Sequence, residues 1–148
     1  MSLENTISEA IKDAMRAKDK IALDALRAVK SQILLLKTEA KGAEVSEEQE
    51  TAILQRMIKQ RKDSFDQFTA QGRNDLAEVE EAQSKVIEKF LPQQLSAEEL
   101  ESAMKEIIAQ TGATSAKDLG KVMGMAGKAL AGKSDGKSIS DMAKKLLS

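Results

Sequence analysis

Residues 127–134 read Gly127-Lys-Ala-Leu-Ala-Gly-Lys-Ser134, GKALAGKS. Letter for letter this is G-x-x-x-x-G-K-[ST], the pattern of a phosphate-cradling loop. Its reading decides the fold, because such a loop must leave a buried strand and open a helix whose amides converge on phosphate. The approach to Gly127 is Lys117-Asp-Leu-Gly-Lys-Val-Met-Gly-Met-Ala126, which is helical in pattern and holds one β-branched residue, Val122. No strand precedes the motif, and no second apolar strand ends in a magnesium-binding Asp. Glycines at 120, 124, 127, 132 and 136 also make a chance match easier here than at ordinary composition. The stretch is therefore read as the end of one helix and a turn into the next, with no nucleotide bound at Gly127–Ser134.

Outward from this point the apolar spacing is helical throughout, and nothing alternates convincingly at period two. A first helix is expected from Ser2–Thr6, with Thr6 and Glu9 as a capping box, burying Leu3, Ile7, Ala10, Ile11, Ala14 and Met15. Asp19 caps a second helix carrying Ala22, Leu26, Val29, Ile33 and Leu36, which Gly42 stops. Ser46 and Gln49 form a capping box for a long helix with Ile53, Met57, Ile58, Phe65 and Phe68 inward, ending at Gly72. Asn74 or Asp75 opens a fourth, using Leu76, Val79, Val86, Ile87 and Phe90, and Pro92 ends it.

Beyond Pro92 the helices are shorter. Ser96 and Glu99 box a helix with Leu100, Met104, Ile107 and Ile108 that runs to Gly112. Ser115 caps a glycine-rich helix from about Ala116 to Ala131. A turn over Gly132–Lys137 leads to a last helix with Ile139, Met142, Ala143 and Leu146. The expected architecture is all-α: a four-helix N-terminal domain over residues 1–92, then a small three-helix domain over 93–148.

Composition narrows the chemistry. The sequence has neither cysteine nor histidine. Disulfides, thiolate catalysis and the commonest metal ligands and neutral-pH bases are thereby excluded. No catalytic residue, metal site or cofactor is expected. The longest aliphatic run, Ile33-Leu-Leu-Leu36, is far too short to span a membrane. Glu4, Glu9 and Asp13 near the N-terminus argue against an acid-poor transit peptide, so a cytoplasmic protein is expected.

Net charge is only −1, yet the last 38 residues hold seven lysines against Asp118, Asp135 and Asp141. On an ideal helix Lys117, Lys121 and Lys128 share an arc of about 40°, opposite the core stripe Leu119, Val122, Met123, Ala126 and Leu130. Gly124 sits among the lysines, and Gly120, Gly127 and Ala131 line the flank. Glycine in a helix interior costs about 1 kcal/mol relative to alanine, so three of them imply a close approach. One reading is packing against a neighbouring helix with the lysines merely solvated. The other is a surface for a phosphate backbone, made by Lys117, Lys121, Gly124 and Lys128 and continued by Lys133 and Lys137. Lys59-Gln-Arg-Lys62 and the glutamates 78, 80, 81 and 88 read as solvated helix faces.

Several stretches carry a family resemblance: Asp24-Ala-Leu-Arg27, Lys59-Gln-Arg-Lys-Asp-Ser64, Gly72-Arg-Asn-Asp-Leu76 and Phe90-Leu-Pro-Gln-Gln-Leu95. Gly120-Lys-Val-Met-Gly124, Gly132-Lys-Ser-Asp-Gly136 and the terminal Lys144-Lys-Leu-Leu147 continue it. In this order the chain resembles the GatB/YqeY family, in its free-standing YqeY-like form. The resemblance implies a helical domain followed by a three-helix module like the tail of the tRNA-dependent Asp/Glu amidotransferase B subunit. It implies an association with tRNA; with no catalytic residues read from the sequence, the expectation is a non-catalytic tRNA-associated accessory protein, or a module docking through its glycine-lined face on an aminoacyl-tRNA synthetase or amidotransferase subunit. It also carries the label of a carbon–nitrogen ligase with glutamine as amide donor. No glutaminase-type nucleophile constellation accompanies that label in this sequence.

Overall fold

The computed structural model describes residues 2–148, and among them every regular element is helical. The α-helices are α1 (Leu3–Ala17), α2 (Lys20–Glu39), α3 (Glu47–Ala70), α4 (Asn74–Glu88), α5 (Ala97–Thr111), α6 (Leu119–Ala129) and α7 (Gly136–Leu147). A single 3-10 turn, Ala116–Asp118, precedes α6. The chain divides into two compact units, Met1–Leu91 and Pro92–Ser148.

Polar side chains start most of these helices by accepting the amides that an α-helix leaves free. Asp19 accepts from Ala22 N, and Asp135 from Ser138 N. Ser46 with Gln49 and Ser96 with Glu99 form full capping boxes. At α1 the cap is one turn earlier than the sequence implies: Ser2 accepts from Asn5 N. Thr6 lies inside the helix, its hydroxyl turned back to Ser2 O at 3.0 Å. α4 starts at Asn74, as expected; Arg73 precedes it without a side-chain cap bond and pairs with Asp75.

In the first unit Ile7, Leu26, Val29, Ile33, Leu54, Met57 and Ile87 are buried together. Met15, 54% exposed, and Val79, 37% exposed, fall outside this core. Each sits at the edge of its helix's apolar arc, where a shift of one position turns a side chain by about 100°. Phe65 and Phe68 are only half-buried. Lys18, with φ 56°, makes the sharp junction that lets Asp19 open α2 directly after α1.

The second unit has its own core, built from Leu100, Met104 and Ile107 of α5, Val122 and Ala126 of α6, Leu130, and Ile139, Ala143 and Leu147 of α7. Gly112 ends α5 at φ 72°, a left-handed conformation that glycine adopts without steric penalty.

Candidate functional site

The loop before α6 is pinned by its own polar residues. Asp118 Oδ2 accepts from Thr114 N at 3.0 Å, and Ser115 Oγ accepts from Lys117 N at 3.4 Å. Lys117 therefore lies in the 3-10 turn, not within the α-helix. From Leu119 the helix keeps Val122, Ala126 and Leu130 buried, which fixes its rotation. That rotation presents Gly120, Lys121, Gly124, Met125, Lys128 and Ala129 together along a shallow open surface.

The glycines of this surface are bare. A β-carbon built on Gly120, Gly124 or Gly127 would meet nothing within 4 Å. Packing against a neighbouring helix of the same chain is thus overturned as the reason for three glycines in α6. They leave backbone uncovered on the outer side of a helix, flanking Lys121 and Lys128 two turns apart. Neither lysine has a carboxylate within 4.0 Å among the described residues. Met125 stands beside them, 39% exposed. Its angular position on the helix, about 40° from Lys121, would have marked it from the sequence.

The GKALAGKS stretch supplies the lower end of this surface and then turns inward. Its first three residues close α6, and Leu130 N donates to Ala126 O at 2.9 Å. Gly132 takes φ 77°. Its carbonyl accepts from Gln94 Nε2 at 2.6 Å, and that of Lys133 accepts from Leu95 N at 2.9 Å. A phosphate cradle needs converging amides after a strand. Here the turn instead engages carbonyls, and no strand is present among the described residues. Gly136 and Lys137 belong to the first turn of α7, not to the preceding loop, because Asp135 acts as an N-cap.

Of the six residues expected to contact a phosphate backbone, Lys121, Gly124 and Lys128 line one surface. Lys117, Lys133 and Lys137 are exposed but do not line it. Lys144 and Lys145 occupy the last turn of α7, where they complement its negative end. Arg61 is not the solvated side chain its basic neighbours suggested. It is partly buried, with Nε donating to Gln83 Oε1 and Nη1 to Met57 O, both at 3.2 Å. Glu81 pairs with Lys85 at 3.6 Å, and Glu88 approaches Lys62 at 4.0 Å.

Comparison with known proteins adds a family to this geometry. The family described as Yqey-like protein matches residues 4–147. Among curated relatives, "Altered inheritance of mitochondria protein 41, mitochondrial" of Clavispora lusitaniae is 33% identical over 90 residues, 61% of this chain and 52% of the relative. Its namesake in Candida glabrata is 32% identical over 108 residues, covering 71% and 59%. That of Saccharomyces cerevisiae strain YJM789 is 34% identical over 83 residues, covering 56% and 45%. The chain spans about half the length of the curated relatives it matches. These names correct the expectation of a cytoplasmic protein, because they point to mitochondria. The expectation rested on Glu4, Glu9 and Asp13, and acidic residues within a first helix that packs into the fold do not decide the compartment.

Proposed function

This chain belongs to the Yqey-like family, and from that premise we propose that it is a non-catalytic accessory protein that holds tRNA against the outer face of α6. The observation that carries this reading is the uncovered backbone at Gly120, Gly124 and Gly127 beside the unpaired ammonium groups of Lys121 and Lys128. Lysines neutralise phosphates without reading sequence, and bare helix backbone lets a sugar-phosphate strand approach more closely than any side chain would permit. Lys117, Lys133 and Lys137 extend the positive field around this contact. The amidotransferase-tail likeness supports the same reading. In it the two units are independent domains, and the three-helix one carries the RNA.

Titration of labelled tRNA tests this. Wild-type binding is expected to fall steeply with salt, and Lys121→Glu/Lys128→Glu is expected to abolish most of it and flatten the log–log slope by about two. Equal binding by both proteins, or none by either at low salt, would overturn the proposal.

One rival rests on Met125. An exposed thioether among glycines also suits an apolar protein contact, so the same face would dock on a synthetase or amidotransferase subunit. Retention of such a subunit after nuclease treatment, and its loss on Met125→Glu, would favour that partner over RNA.

A further inference from the structure

Lysines alone read phosphate charge, and charge does not separate RNA from DNA. The last turn of α6 offers something more. Leu130 N closes on Ala126 O at 2.9 Å, and the next backbone bond of the turn runs from Lys133 N to Leu130 O at 3.0 Å. Among the described residues no backbone amide follows onto the carbonyls of Gly127, Lys128 and Ala129. These are acceptors that an α-helix leaves over at its C-terminal end. All three residues are exposed. A glycine can be exposed only through its backbone, so at Gly127 the solvent-facing atoms are those of the main chain itself.

A ligand matched to this face presents anions to the ammonium groups and hydrogen-bond donors to the carbonyls. Lys121 and Lys128 lie about 10 Å apart along the helix axis, and neither is engaged by a carboxylate among the described residues. The open acceptors begin beside Lys128. A DNA backbone has phosphates and no donor, whereas an RNA backbone alternates phosphate with a 2′-hydroxyl that donates. Base stacking adds nothing here, because residues 92–148 contain no Phe, Tyr or Trp; an unpaired strand would gain little beyond charge. A base-paired RNA stem displays 2′-hydroxyls and phosphates together along a wide, shallow minor groove, which a helix face can meet without insertion. The bare strip at Gly120 and Gly124 suits that flat approach, since no side chain rises from it.

Resting on the tRNA-holding reading above, we propose that α6 recognises the backbone of a base-paired RNA stem across its minor groove. Lys121 and Lys128 meet phosphates, and the carbonyls of Gly127, Lys128 and Ala129 accept from 2′-hydroxyls. Fluorescence anisotropy with the full chain at fixed salt tests it on five labelled probes. They are tRNA, an RNA stem of about 16 base pairs, a DNA duplex of the same sequence, the RNA stem carrying 2′-fluoro sugars, and oligouridine. The RNA stem should bind roughly ten-fold more tightly than oligouridine or the DNA duplex. The 2′-fluoro stem keeps the A-form but cannot donate, and should bind about five-fold more weakly for each hydrogen bond lost. Lys121→Gln/Lys128→Gln should weaken every probe yet preserve the ratio between the hydroxyl and fluoro stems, because the carbonyls are untouched. If tRNA binds but the RNA stem is held no better than DNA or oligouridine, or no better than the fluoro stem, the stem proposal is overturned and the tRNA reading stands. Failure to bind any probe, tRNA included, would overturn both.

Discussion

The side-chain amide of Gln94 donates to the carbonyl of Gly132 at 2.6 Å, and the same nitrogen reaches Pro92 O at 2.7 Å. With Leu95 N donating to Lys133 O, this ties the strand of chain entering α5 to the turn between α6 and α7. A net hydrogen bond contributes about 0.5–1.5 kcal/mol, and this one is exposed, so Gln94→Ala should cost toward the lower end. Hydrogen exchange should show faster opening of the Leu95 amide. Unchanged protection there would mean the bond is not populated in solution.

The glycines of α6 and the glycine that ends α5 should respond in opposite directions. Alanine at Gly120, Gly124 or Gly127 meets open space and gains helix propensity, so each change should stabilise by about 0.5–1 kcal/mol. Gly112→Ala should destabilise by about 1–2 kcal/mol, because φ 72° is strained for any β-carbon. Urea unfolding monitored on the second unit measures both. The triple alanine variant at 120, 124 and 127 should be more stable yet bind tRNA less tightly. Undiminished binding would show that the bare backbone is not what RNA touches.

Truncation of Met104 reports on how far the two units depend on each other. Met104 is fully buried in the second core, and Met→Ala in such a site costs about 2–5 kcal/mol. With only nine residues in that cluster, Met104→Ala should unfold the second unit near room temperature. NMR signals from α1–α4 should persist. Loss of all native signals together would argue against independent domains.

The two capping boxes predict different responses to acid. Hydrogen bonds from the Ser96 backbone and hydroxyl hold the Glu99 carboxyl below the usual glutamate range. A lowered folded-state pKa means that this contribution is present above the ordinary glutamate value, about 4.3, and is lost as pH falls through the folded-state value. The start of α5 should therefore fray on acidification. The box of α3 uses Gln49, which does not titrate, and its start should not respond in this way. Glu99→Gln should remove the pH dependence of the protection factor at the residue 99 amide while keeping the box. A wild-type start of α5 that is equally protected at pH 3 and pH 6 would contradict this.

Most of the helical architecture is local information. Asp19, Ser46, Ser96 and Ser115 announce helix starts because a side-chain oxygen can satisfy amides a few residues on, without help from elsewhere in the fold. The stripes Leu26-Val29-Ile33 and Val122-Ala126-Leu130 announce which face is buried, because helical period alone aligns them. The same locality exposes GKALAGKS as a helix end, since a phosphate loop needs a strand that the preceding residues do not encode. What tertiary structure alone decided is how those faces are used. Whether Gly120, Gly124 and Gly127 touch a neighbour or stand open depends on where α5 and α7 pack, and they leave that side uncovered. Whether Ser84 and Arg61 are surface residues or the lining of one cavity depends on how α3 meets α4, a contact between residues about 20 positions apart. Spacing along a helix fixes the direction of a side chain relative to its own axis. Only packing fixes what lies in that direction.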